Sequence, residues 1–264
     1  MILPSGLDAS AVLSLLAALA YAISAAGATR LGERGAYYAL VAAWLLHLGA
    51  IACGLFGQPR FGFAPALSFT AWLVLTVYAV ERQVFPQLQA RWALAGLGSI
   101  AVLLAAFFPG KLLASEASAW LPLHLVLGVA SYGLFAAAAV HAWLMMRAEH
   151  AMRAGADANA GLPLLTLERL TFRFAGAGFV LLSATLVAGL FFTEVLYGQS
   201  LRFDHKTVFS ILAWLVFAFL LLGRARFGWR GRKAVRVLYA GSVLLLLAYV
   251  GSRFVLEVIL RRGT

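Results

Sequence analysis

Five histidines carry most of the chemistry open to this chain of 264 residues: His47, His124, His141, His150 and His205. Neutral imidazole is the commonest metal ligand among side chains and is also a hydrogen-bonding group, so the surroundings of each ring decide its role. His47 lies midway along the apolar run Ala36–Phe56, which is long enough to cross a bilayer. A titratable group at that depth is costly and is turned toward a partner, a cavity or a ligand. His124 follows Leu121, Pro122 and Leu123 at the head of a later run. Gly128 and Ser131, one and two turns on, share its face and leave room for a close backbone or a flat ligand. His205 opens another run beside Asp204.

His141 is 17 residue steps beyond His124, about 25 Å along a helix, so these two cannot share one small site. His150 falls in solvent. On depth alone, His124 and His205 can meet at one membrane surface, with His47 a layer below. Arg253 stands near that same surface, four residues before Glu257. It can pair with that carboxylate across one helical turn or neutralise a carboxylate on something bound. A histidine inside a membrane also simply donates to a neighbouring helix. For His141, among alanines, Trp143 and Met145, that is the expected role. For His47 both roles stay open, and His205 can equally be an ordinary helix-start residue.

The chain has no HExxH, no Cys/His grouping, no glycine-rich phosphate loop, no Ser/His/Asp set and no carboxylate pair within an apolar run. Binding rather than catalysis is expected, and an enzyme is not. Cys53 is the single cysteine, which leaves no internal disulfide and no CxxC centre; it is expected to pack as a small hydrophobe.

These residues are carried by strongly apolar elements. Hydrophobic residues make up 63% of the chain and charged ones 12%, and the mean hydropathy is +0.92; that is too little polar surface for a soluble domain. Eight runs approach the roughly 20 apolar residues that a spanning helix needs: Asp8–Ala28, Ala36–Phe56, Ala64–Val80, Trp92–Phe108, Leu121–Met146, Phe174–Leu196, Val208–Gly223 and Val235–Leu260. The fold expected is all-α, a polytopic transmembrane helix bundle of about eight spanning helices forming one domain, residues 1–264. No Lys or Arg precedes Arg30, so the first run reads as an uncleaved span rather than a signal peptide.

Of the 21 basic residues, fourteen flank the first, third, fifth and seventh connections and seven the others. The positive-inside rule then puts both termini on the outer, periplasmic side of a bacterial inner membrane. Anionic lipid headgroups account for the net charge of +11, and no nucleic-acid partner is implied. Gly155–Gly161 reads as a flexible cytoplasmic linker, and Pro163–Arg173 as a short interfacial helix leading into the sixth span. Arg224–Lys233 reads as a topology anchor with Trp229 at the interface.

Several segments together resemble the cytochrome c assembly membrane proteins of the CcsA/CcmC type, and most closely their YpjD/HemX-like branch. They are Leu123–Tyr132 (LHLVLGVASY), Leu167-Glu168-Arg169 through Gly178-Phe179 to Gly189, Asp204–Trp214 (DHKTVFSILAW), Gly228–Arg232 (GWRGR) and Ala248–Phe254 (AYVGSRF). The resemblance covers most of the chain and is strongest after residue 120. It implies haem handling in cytochrome c maturation: haem displayed at an outer Trp-rich motif between two outward histidines, with a further histidine pair inside the membrane. By position, His124 matches the first outer histidine, Asp204 and Lys206 the end of the Trp-rich motif, and His47 the histidine of an early span.

The chain departs from that pattern in two places. Leu196–Phe203 (LYGQSLRF) stands where tryptophans would be, and Ile259 and Leu260 stand near the place of the second outer histidine. The resemblance therefore implies haem handling without implying delivery to an apocytochrome, and the HemX-like branch leaves a regulatory role in haem biosynthesis open. The expectation is an inner-membrane protein that binds haem b for cytochrome c assembly or haem homeostasis. Its cofactor-binding residues would be His47, His124, His205 and Arg253, with the three histidines as iron ligands. Expected partners are membrane lipid, haem and other cytochrome-assembly or haem-biosynthesis proteins. The alternatives are a scaffold or regulator of the haem pathway that binds no haem and, less favoured, a small-solute transporter, for which repeats and broken helices with paired ionisable groups are lacking.

Overall fold

In a lipid phase the backbone must satisfy its own hydrogen bonds, and the apolar runs do so as helices. The computed structural model describes residues 9–26, 32–56, 60–85, 90–112, 120–155, 162–191 and 205–260. The helices are α1 (Ala9–Ala26), α2 (Gly32–Phe56), α3 (Phe63–Val84), α4 (Arg91–Phe107), α5 (Leu121–Arg153), α6 (Leu164–Phe191), α7 (His205–Phe227) and α8 (Gly231–Ile259). All but α4 are long and apolar enough to cross a membrane by length and composition; α4 has 17 residues. The expected all-α polytopic bundle is what the chain forms, with one small addition. Arg60–Phe61 (β1) and Lys111–Leu112 (β2) pair antiparallel, Arg60 opposite Leu112. Gly110 closes that pair at φ +79°, where a Cβ would meet the Phe61 carbonyl carbon at 2.6 Å.

Helices run past the apolar runs because a charged last turn does not stop a helix. α3 continues through Glu81 and Arg82, and α7 through Arg224 and Arg226. Pro163–Arg173 forms no separate interfacial helix: from Leu164 onward it is the first turns of α6. Large apolar side chains such as Leu19, Val126, Val180 and Phe219 stand more than half exposed, as helices facing lipid require. Cys53 is exposed on α2 rather than packed, because a lipid-facing side chain needs no protein partner. The linker from 156 to 161 and the connection from 192 to 204, with Arg202 and Asp204, lie outside the described residues.

The sequence reads as one domain; the chain packs as two compact units. Unit 1 holds α1, α2, α4, the β pair and α3 up to Val80. Its packing runs through small residues, with Ala17, Ala18 and Ser24 of α1 and Ala95 of α4 all buried. Short side chains let helices approach closely where no hydrophobic effect drives them together. Hydrogen bonds from Ser24 Oγ to the Ala36 carbonyl, 3.0 Å, and from Ser99 Oγ to the Ala18 carbonyl, 3.0 Å, tie α1 to its neighbours.

Unit 2 holds α5–α8 and the end of α3 from Glu81. Neighbours in the ring α5–α6–α7–α8 run antiparallel, and α8 closes on α5. At the centre the diagonal helices meet: Phe135 of α5 stacks on Phe217 of α7, with ring centroids 3.7 Å apart. Glycine on the other two helices makes that stack possible. A Cβ at Gly178 would lie 3.3 Å from the Phe135 ring, and one at Gly241 would lie 2.7 Å from that of Phe217.

The arginine-rich end of unit 2 is tied by Glu168 of α6. Its carboxylate accepts from Arg224 at 2.7 Å and faces Arg230 at 3.4 Å. Gly228 and Gly231, at φ +62° and +58°, turn the chain so that Trp229 folds back onto Gly223, where a Cβ would clash at 2.4 Å. Trp229 is thus held by the helix end, with Lys233 over its ring at 3.9 Å.

Candidate functional site

Unit 1 encloses His47. The ring is fully buried, and both its nitrogens are engaged. Nδ1 lies 3.1 Å from the Tyr21 hydroxyl, and Nε2 lies 2.8 Å from Ser68 Oγ. In neutral imidazole one nitrogen donates and the other accepts, and two hydroxyls can serve either tautomer. The arrangement locks α1, α2 and α3 together. An iron ligand here would have to give up one of these bonds.

At the other deep histidine, His141 Nδ1 faces the Ala137 carbonyl at 2.8 Å. A carbonyl only accepts, so Nδ1 carries hydrogen. Nε2 then points toward Glu81, whose Oε2 is 3.0 Å away but off the line of a hydrogen bond. Both side chains are buried, and the Phe174 ring lies 5.2 Å from the imidazole. Sequence reasoning misses Glu81 because hydropathy ends the third run at Val80. A carboxylate one step past an apolar run, on a helix with no break before it, is the available signal.

The remaining candidates gather at the other end of unit 2, built from the start of α5, the end of α6, the start of α7 and the end of α8. Pro122, in the first turn of α5, fits where no intrahelical N–H is needed. It places His124 one turn into the helix, half-buried. The ring lies against α6, where a Cβ on Gly189 would sit 3.5 Å from His124 Cε1. One turn deeper, Gly128 faces Thr185 at a similar 3.6 Å, so the small face expected beside His124 is used for helix contact. Lys206 of α7 is close enough for its ammonium to act on the His124 ring. The Lys206 ammonium also lies 5.7 Å from the Tyr249 ring centroid, with the Arg253 guanidinium 5.9 Å from the same ring.

Arg253 does not make the expected ion pair with Glu257; its guanidinium lies at Tyr249. The reason is local winding. Leu247–Gly251 and Val255–Ile259 are π-helical, so four residues no longer complete a turn. His205 is the first residue of α7, exposed, next to Lys206. His47 belongs to the other unit, and His150 is exposed near the far end of α5. One end of unit 2 therefore joins an imidazole, two cations and an aromatic ring. Among the described residues no three His, Cys, Asp or Glu side chains converge. Such a set can bind a ligand that is flat, that offers a metal to one imidazole and that carries carboxylates.

Known proteins share much of this chain. Residues 35–260 match the family model described as "Cytochrome C assembly protein". The chain is 37% identical over 159 residues to the inner membrane protein YpjD of Escherichia coli K12, covering 59% of this chain and 60% of that protein. It is 38% identical over 147 residues to an uncharacterized 28.8 kDa protein of Azospirillum brasilense, 53% of each chain. A cytochrome c biogenesis protein CcsA of Gloeobacter violaceus is 30% identical over 92 residues, 35% of this chain and 27% of that one. The match thus spans about three-fifths of the YpjD length or less. No solved structure matches.

Proposed function

The chain belongs to the cytochrome c assembly protein family, and from that premise we propose that it holds haem b at the His124 end of unit 2. It is a multi-pass protein of the bacterial inner membrane, and its place is in cytochrome c biogenesis. In our reading this end is the outer surface, and the protein carries out no bond-making chemistry of its own.

The observation that carries the reading is the convergence of His124, Lys206, Tyr249 and Arg253 at one end of a four-helix unit. These residues fit haem. An imidazole half-buried against a glycine can approach a flat ring, and iron takes neutral imidazole as an axial ligand. Two cations flanking one aromatic side chain suit two carboxylates. When bound, haem would supply an iron centre that takes neutral imidazole as an axial ligand. The chain's own residues do the rest. His124 would ligate, Gly189 lets its ring lie close to α6, Lys206 and Arg253 would hold the propionates, and Tyr249 spaces the two cations. His205, beside Lys206, is our candidate for a further iron-holding imidazole. We place no iron at His47, whose ring nitrogens are already hydrogen-bonded.

The test is an absorption spectrum of the purified full-length protein. A Soret band is expected, with haem per protein falling at least tenfold in His124→Ala, on the scale of losing a metal ligand. His150→Ala should retain it. His205→Ala is expected to change the low-spin spectrum. No Soret band in the native protein, or the same haem content in His124→Ala and His150→Ala, would leave a scaffold or regulator without haem as the reading.

A further inference from the structure

The first of the two π segments in the eighth span, Leu247–Gly251, lies next to a side chain from another helix. Tyr132, two turns below His124 on α5, donates its hydroxyl hydrogen to the Leu245 carbonyl of α8 and accepts from the Tyr249 backbone N–H. In an uninterrupted α-helix those two backbone groups would bond each other, residue 249 to residue 245. The hydroxyl therefore sits between two ladder partners, a recognised cause of local unwinding. The chain takes up a π turn there. Ser252 N–H reaches back five residues to Leu247 O. Ser252 Oγ covers the Ala248 carbonyl, its α-helical partner, at 2.9 Å.

A π turn absorbs one extra residue, so everything beyond it is rotated by about 100° and set back by about 1.5 Å relative to a continuous α-helix. Arg253 is the first cation beyond this turn. We propose that Tyr132 is a positioning residue: by wedging into α8 it sets the helix register that turns Tyr249 and Arg253 toward Lys206 and His124. The helix part of this proposal stands on geometry alone; the ligand part, a propionate-class carboxylate held by Arg253, rests on the haem reading above.

A substitution and a deletion separate register from simple damage. Tyr132→Phe keeps the ring and removes the hydroxyl, so the 245–249 bond can close and α8 rewinds. Deleting Val250 in that background removes the surplus residue and returns Arg253 to its original direction. The readout of register uses the full chain carrying Cys53→Ser, Lys206→Cys and Arg253→Cys, joined by a short bifunctional maleimide. Cross-linking is expected with Tyr132 present, lost with Tyr132→Phe, and regained when Val250 is also deleted. In the chain with Lys206 and Arg253 intact, haem affinity should follow the same order. It should fall roughly tenfold and then recover, the scale of one hydrogen bond to a charged group.

Cross-linking unchanged by Tyr132→Phe would overturn the wedge. So would failure of the deletion to restore it, including the case in which both variants misfold, because register alone predicts recovery. Cross-linking that tracks the expected order while haem affinity stays constant would overturn the ligand part alone. A native protein without haem whose cross-linking tracks that order would sink the haem reading and leave the wedge standing.

Discussion

His47 and His141 show how differently two buried imidazoles are used. His47 has two hydroxyl partners, and its loss should act on packing. We expect His47→Ala to lower the thermal midpoint of the detergent-solubilised protein by an amount corresponding to about 1–3 kcal/mol, the cost of stranding buried hydroxyls. Haem per folded protein should not change; a parallel fall in haem would show that the ring is a ligand after all. His141 and Glu81 behave as a pair. Removing one partner leaves an uncompensated polar group in a site where Glu81 Oε1 already has no hydrogen-bond partner among the described residues. His141→Leu or Glu81→Leu alone should cost roughly 3–5 kcal/mol, and the double substitution much less. Additive losses in a thermal-unfolding cycle would show that the two do not interact. The importance of His47 was legible from its depth alone. Its partners Tyr21 and Ser68 were not, because lateral adjacency of spans is not written in hydropathy. The expected Arg253–Glu257 pair failed because spacing arguments assume α winding, and nothing local to the last span announces a hydroxyl arriving from α5.

At the scale of elements, glycine decides which helices can touch. Gly241 and Gly176 both lie inside apolar helices, yet they differ in surroundings. A Cβ at 241 would strike Phe217 at 2.7 Å, while one at 176 would meet nothing within 4 Å. Gly241→Ala should therefore destabilise by about 1–3 kcal/mol through overpacking, and Phe217→Leu in the same chain should recover part of that. Gly176→Ala should be neutral or stabilising by up to about 1 kcal/mol. Equal effects of the two alanines on the thermal midpoint would mean that the stacked phenyl rings do not constrain α8. The eight helices themselves were readable because bilayer thickness dictates run length. Their ends were not, since Glu81, Arg82 and Arg224 continue a helix that composition would stop. Trp229 shows the same limit: it reads as an interfacial anchor, yet it is fixed by a backbone turn through two left-handed glycines.

For the whole molecule, orientation decides what each end can meet. By the positive-inside rule, we propose that the His124 end lies outside and the Glu168–Arg224 end inside. A reporter active only beyond the inner membrane should work when fused after Thr264 and fail when inserted at Gly155. The reverse result would move the haem site to the cytoplasm. Two units rather than one also separate the tasks: His47 fastens the first, and the histidine end belongs wholly to the second.

The phenyl pair at the middle of unit 2 amounts to a bulkhead. With Phe135 and Phe217 face to face and glycine backbones pressed against both, the axis of the four helices is sealed to a macrocycle. On the proposed haem reading, a flat, greasy cargo for His124 would have to come sideways out of the lipid or over the rim, which makes the bilayer itself part of the route. Loading in reconstituted vesicles should then depend on acyl-chain length and headgroup charge and should be indifferent to Phe217→Leu. Faster loading in that variant would mean that the seal, and not the lipid, sets the pace.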